Sequence, residues 1–394
     1  MRTYLDHAAT TPMLPEAIEA MSRELTRVGN ASSTHASGRN ARRVVEESRE
    51  AIAARLGAQP SEVVFTAGGT EADNLAIKGA FWSRPDRRRI VLSAIEHHAV
   101  LESAGWLAER AEADLSLVPV DELGTVDCAA LRDEVADDTA LVSVMWGSNE
   151  VGSVQPVAEI AALAAEQGAL SHSDAVQAVG HIPVDFTASG LDLLSCTGHK
   201  LGGPYGVGAL LVRREVALTA VLHGGGQERD VRSGTVNVAA IAGFAAAVDV
   251  AVGGLEAEMA RIRWLRSALL EAILAAVSDA VLHGPVDPDA TLPGIVNIGF
   301  PGCAAEDLLL LLDAAGIDCA TGAACSAGVA EPSHVLVAMG LDEEAARSSL
   351  RFSLGHTSTV ADVAALGAVL PEAVSRARLA RGYSATGSER RVAR

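Results

Sequence analysis

Only two of the 31 basic side chains in this 394-residue sequence are lysines, Lys78 and Lys200. Positive charge is otherwise left to arginine. A retained lysine therefore points to chemistry a guanidinium cannot do, namely losing a proton and forming a Schiff base. Lys200 lies in the stretch 191–212, where an apolar run ends in Ser195-Cys196-Thr197-Gly198-His199-Lys200. A glycine-rich turn follows, and a second apolar run, 208–212, closes the stretch. The pattern is two strands with a lysine-bearing corner between them. An ordinary surface lysine is the alternative.

Two further groups could work with that amine. In Thr66-Ala67-Gly68-Gly69-Thr70-Glu71 a strand gives way to a helix. Its glycines let backbone amides approach an anion, the helix start adds a positive end, and Thr70 offers a hydroxyl. No lysine follows the glycines and no GxGxxG is present, so neither nucleotide fingerprint applies. A structural glycine turn is the alternative. Beside the lysine corner, the loop suggests a phosphate-bearing cofactor. Asp174, 26 positions before Lys200, lies at the end of an expected strand. A carboxylate there could keep a pyridine nitrogen protonated, or simply cap the next helix. His97 could stack on a ring or shuttle a proton, although a lone histidine is more often structural. Reading His97, His98, His172 and His199 as a metal site finds no support in a carboxylate–histidine helix motif or a CxxC pair.

These groups need a frame. From residue 62 onward strand-like runs (62–66, 89–94, 114–120, 140–146), and a stretch 169–180 that starts as a strand and turns helical, alternate with helical patterns. That alternation predicts an α/β fold with a mostly parallel sheet covered on both faces. In such sheets ligands gather at the carboxyl ends of the strands, and the polar groups named above stand at those ends. Before the alternation, a helix is expected over 16–27, a polar loop over 29–41 and a helix from Ala41 to Leu56. After Thr235, Leu255, Met259, Ile262, Leu265, Leu269 and Ile273 step by three or four along a long amphipathic helix. It should lead into a second domain with strands near 295–300, 316–320 and 348–353 and helices near 304–315, 333–339 and 360–380. Thr359 and Asp362 suit a capping box for the last helix. The tail 383–394 has the composition of a disordered segment.

The length calls for two domains or one large and one smaller. A net charge of −19 argues against DNA or an anionic membrane as a partner. The start lacks the apolar core of a signal peptide, so a cytoplasmic location is expected. Five cysteines without a CxxC fit neither a disulfide framework nor a zinc knuckle.

The lysine corner, followed by Gly208-Ala209-Leu210, resembles the signature of class V pyridoxal-phosphate (PLP) enzymes. More narrowly the chain is similar to cysteine desulfurases of the NifS/IscS type, from Tyr4-Leu5-Asp6-His7 through Arg351-Phe352-Ser353. The subfamily signal is Thr321-Gly322-Ala323-Ala324-Cys325, with Glu331-Pro332-Ser333-His334 after it. The resemblance implies PLP fold type I. Residues 14–254 would form a large domain with a mostly parallel seven-stranded sheet. Residues 1–13 and 255–382 would form a smaller α+β domain carrying the catalytic cysteine loop.

It also implies roles. Lys200 would hold the cofactor and move the Cα proton, Asp174 would pair with the pyridinium nitrogen, Gln177 would bond the ring oxygen, and His97 would stack on the ring. Gly69, Thr70, Thr197 and His199 would hold the phosphate, with Thr235 supplied by the neighbouring subunit of a homodimer. Asn149 and Arg351 would bind the carboxylate of L-cysteine, and Cys325 would take up its sulfur as a persulfide. That sulfur would pass to an acceptor or iron–sulfur scaffold protein, for cluster assembly and tRNA thiolation. No resident metal is expected, although Cys325 could touch a nascent cluster on a partner. The same fold also serves selenocysteine lyases and aminotransferases, and a non-enzymatic scaffold is the reading from another class. Departures from the family pattern include Ala31 in place of a proline and Gly69 where alanine is common.

Overall fold

Apolar segments that alternate with amphipathic helices can bury both faces of a sheet, and the chain does so. The computed structural model describes residues 2–322 and 331–383. In chain order its strands are β1 (Thr3–Tyr4), β2 (Val63–Thr66), β3 (Arg89–Ser93), β4 (Asp114–Val118), β5 (Thr139–Ser143) and β6 (Leu170–Asp174). They continue with β7 (Leu193–Thr197), β8 (Gly208–Val212), β9 (Val281–His283), β10 (Ile295–Gly299), β11 (Ile317–Asp318) and β12 (Ser349–Ser353). Seven strands form the main sheet in the order β2-β8-β7-β6-β5-β3-β4. Only β8 runs against its neighbours, pairing antiparallel with both β2 and β7. Strands β2 and β5 to β8 are buried along their whole length, as expected of a sheet covered on both faces. The chain steps from β3 outward to β4 and then back to β5 on the other side of β3. That reversal opens a crevice at the carboxyl ends of the strands.

The corner around Lys200 is the antiparallel pair β7–β8, in register from Leu193 with Val212 to Thr197 with Gly208. A single 3-10 turn, Gly198–Lys200, carries the lysine off the end of β7.

The helix Leu255–Ala276 leads to a three-stranded antiparallel sheet, β12-β10-β9. Its apolar stripe, Ile262, Leu265, Leu269 and Ile273, packs with Phe352, Val296, Leu366 and Leu370 in one core. The last helix, Val360–Ala380, starts at the expected capping box, where Thr359 N donates to Asp362 Oδ2 at 2.8 Å. Strand β1 pairs in parallel with β11, which ties the N-terminus to this second half. The segment after β1 then crosses to the main sheet.

Two expectations need correction. The loop expected over 29–41 ends early, because the helix begins at Ala36. His35 caps it, its Nδ1 accepting from Gly38 N at 3.3 Å. The first turn, Ala-Ser-Gly-Arg-Asn, has no apolar period to betray it. A second helix, Val238–Gly253, was not anticipated. Alanine, valine, isoleucine and phenylalanine surround it, so it lacks the polar face that makes a helical period visible. It is buried against the helices Pro15–Leu25 and Ala36–Arg55. The tail expected to be disordered lies, beyond Tyr383, outside the described residues. No single helix among the described residues is long and apolar enough to cross a membrane.

Candidate active site

A cavity of about 490 Å³ lies where the strand ends of the main sheet meet the second half. Gly69, Thr70, His97, Asn149, Asp174, Gln177, Thr197, His199, Lys200 and Arg351 all line it. They come from separate loops and from both sheets, so the clustering is a product of the fold. Thr235 is exposed and does not line the cavity of its own chain. Cys325 lies outside the described residues, but Gly322 and His334, on either side of it, both line the cavity.

One end of the cavity is built for an anion. The helix Gly69–Ser83 starts behind Gly68, whose φ of 148° only glycine adopts readily, and no side chain caps its first turn. The free amides and the positive helix end face the cavity at Thr70. Strand β8 passes close by: a Cβ on Gly208 would lie 2.6 Å from Cys196 O and 2.9 Å from Gly68 C. Thr197 Oγ1 donates to Val207 O at 3.1 Å, and His199 stacks on Tyr205 with ring centroids 5.7 Å apart. Burial, with Lys200 nearby, pushes the His199 imidazole down to about 4.

Lys200 projects into the middle. Its Nζ donates to Ala8 O at 2.6 Å and Ala9 O at 2.8 Å. Gln177 Nε2 donates to the same Ala8 carbonyl at 2.8 Å. Burial, reinforced by the Arg351 guanidinium and opposed by Asp174 and Asp6, brings the Lys200 amine down to about 8.

Asp174 ends β6, and the helix it was expected to cap is only a turn, since the next helix begins at Phe186. Asp174 Oδ1 accepts from Val176 N at 2.9 Å, and the carboxyl faces the cavity. Burial raises its pKa, while His97, the Val176 amide and Lys200 pull it down. His97 caps the helix His98–Ala111, its Nδ1 accepting from Ala99 N at 3.1 Å, which leaves Nε2 to carry the proton. The surrounding protein lowers its pKa, with Asp174 opposing. On the far wall, Arg351 of β12 donates from Nη1 to Asn149 O at 2.8 Å and from Nη2 to Asp6 Oδ1 at 2.9 Å. Its buried Nε has no hydrogen-bond partner among the described residues.

Several residues of the site were not singled out from sequence. Asp6 steadies Arg351, and Glu150 accepts from Ser333 Oγ at 2.5 Å. Glu96, fully buried, accepts from Met145 N at 2.5 Å. Asp73, one turn into the helix Gly69–Ser83, lines the cavity as well. One donor atom each of Asp73, His97 and Asp174 lies within 4.8 Å of the other two. For Glu96 and Glu150 the signal was a charged residue adjoining one already singled out, His97 and Asn149.

Comparison with known proteins identifies relatives of this arrangement. The model of the family "Aminotransferase class-V" matches residues 3–366. An IscS-like cysteine desulfurase of Mycobacterium tuberculosis is 57% identical over 393 residues, covering 98% of this chain and 100% of that protein. A cysteine desulfurase IscS of Methanosarcina thermophila is 42% identical, covering 95% of this chain and 92% of its own. Among solved structures, a NifS-like protein superposes with a TM-score of 0.89 at 34% identity, covering 95% of this chain and 100% of its own. SspA in complex with cysteine gives 0.79 at 32% identity, covering 89% and 98%.

Proposed function

The chain belongs to the aminotransferase class-V family, and we infer that it is a PLP-dependent cysteine desulfurase that converts L-cysteine to L-alanine. The observation that carries this is the meeting, in one cavity, of a lysine amine lowered toward neutrality, a buried carboxylate and an arginine fork from the other sheet. The donor set suits the cofactor: an uncapped helix start for the phosphate, Asp174 for the ring nitrogen and Lys200 for the aldehyde carbon. When bound, PLP supplies an electron sink for the bonds at the substrate Cα.

The protein's own residues do the rest. Arg351, with Asn149, grips the substrate carboxylate; the planar fork suits a two-point grip. Lys200 Nζ, free of its proton in part of the population near neutral pH, takes and returns the Cα proton. His97, held by its cap contact, presents Nε2–H over the cavity. The Cys325 thiolate attacks the substrate sulfur and an S–S bond forms. The Cβ–S bond breaks, its electron pair stays with the carbon fragment, and Cβ gains a proton to give alanine. The persulfide sulfur then leaves to an acceptor.

The acceptor we propose is an iron–sulfur scaffold, a role supported by the names of the relatives, with tRNA thiolation as a second use of the sulfur. We further propose a homodimer in which Thr235 serves the neighbour's phosphate; its exposure outside its own cavity supports that reading. The large and small domains would divide at 254/255, with residues 1–13 in the small one.

The test is release of alanine and sulfide from L-cysteine by the PLP-loaded protein and by its Cys325→Ser variant. Wild-type sulfide release by that variant would refute the persulfide route. It would favour the lyase or aminotransferase alternatives, and a colourless protein that takes up no PLP would restore the scaffold alternative.

A further inference from the structure

Asp174 has a second buried carboxylate for company. Asp73 is 1% exposed, and its Oδ1 has no hydrogen-bond partner among the described residues. One oxygen of each acid and a ring nitrogen of His97 lie within 4.8 Å of one another. Two carboxylates this close and this buried do not both ionise, because repulsion and lost hydration push their proton affinities apart.

The neighbours decide which acid keeps the proton. Asp174 accepts the Val176 amide and faces Lys200 and His97, all of which favour its charge. Asp73 has nothing comparable. His172 Nε2 stands 3.7 Å away, but that ring is fully buried, held near 3 by desolvation and therefore neutral. Its two nitrogens are engaged with Ser143 Oγ at 2.8 Å and Ser195 Oγ at 3.0 Å. From β7 the Ser195 hydroxyl bonds Asp73, a weak offset to the desolvation that raises the acid. Glu96, the remaining acid near the pair, is buried and is itself raised, by burial first and then by Asp174 and Asp73.

We propose that Asp73 is a positioning residue that stays protonated in the working enzyme, so that Asp174 alone carries negative charge toward the cofactor's ring nitrogen. The proposal rests on the role given to Asp174 above. An ionised Asp73 would drive the proton onto Asp174 and cost it that role. A neutral carboxyl has the shape and dipole of an amide, so asparagine should replace Asp73 with little effect, while asparagine at Asp174 should not be tolerated in the same way.

The experiment is infrared spectroscopy of the holoenzyme labelled with carboxyl-13C aspartate, which moves aspartyl carbonyl bands away from those of Glu96. Wild type should show a protonated aspartyl band at neutral pH, far above the usual aspartate range. The band should vanish in Asp73→Asn, whose PLP affinity and cofactor absorption against pH should match wild type. In Asp174→Asn the band should remain while PLP affinity falls about tenfold to a hundredfold. Absence of the band in wild type overturns the proposal, even if a variant fails to fold. So does its survival in Asp73→Asn. If the band behaves as expected but Asp174→Asn binds PLP like wild type, the role of Asp174 is wrong, and the positioning role of Asp73 falls with it.

Discussion

Lys200 gives the sharpest quantitative test of the site. Burial, followed by the positive charge of Arg351, lowers its amine from 10.5 to about 8. At pH 7 an unperturbed lysine is unprotonated in roughly one molecule in three thousand, against about one in ten for a pKa near 8, a gain on the order of 300-fold. The unprotonated amine is the nucleophile. The rate at which the apoprotein captures PLP covalently should therefore rise about tenfold per pH unit below pH 8 and level off above it. Stopped-flow absorbance after mixing apoprotein with PLP reads that rate directly. Arg351→Met removes a repelling charge and frees Asp6, which attracts the ammonium, so both changes raise the pKa. The break should move to higher pH and capture at pH 7 should slow. A wild-type rate that climbs without a break to about pH 10, the range of an unperturbed lysine, would refute the electrostatic account.

Two further outcomes concern the frame. Gly208→Ala should weaken PLP binding and destabilise the protein by about 1–3 kcal/mol, because the new Cβ meets backbone at Cys196 and Gly68. Gly69→Ala should cost less, since its Cβ meets the side-chain tip of Val176 at 2.9 Å. PLP titration and chemical denaturation of the two variants compare them, and equal losses would contradict the difference. Glu228→Ala should destabilise by about 3–5 kcal/mol in denaturant titrations, because it strands a buried arginine. Arg49 donates to Glu228 from Nη1 and Nη2 at 2.8 and 2.9 Å, and Phe65 N donates to the same carboxylate.

The strand–helix alternation, the lysine corner and the cluster of polar strand ends were legible because each leaves a local mark: a period, a glycine turn, a rare residue type. Ten of the twelve residues expected in the site line one cavity, Thr235 does not, and Cys325 falls outside the described residues. What escaped had no such mark. Val238–Gly253 has one charged residue, Asp249, too few to mark a polar face, and the two-residue strand β1 and three-residue strand β9 are too short to show a period. The carbonyls of Ala8 and Ala9 hold Lys200, yet alanine says nothing about where its backbone will point. Asp73 is one more polar residue of a helix start in sequence, and only the packing of that helix on β6 and β7 encloses it.

The central claim is that substrate sulfur moves onto one particular cysteine. The measurement that meets it most directly is mass spectrometry of the PLP-loaded protein, digested after brief turnover of L-cysteine under non-reducing conditions. One added sulfur atom on the peptide that contains Cys325 is the expected result. Added sulfur on Cys128, Cys196, Cys303 or Cys319 instead, or alanine formed with no sulfur on any cysteine, would contradict the account.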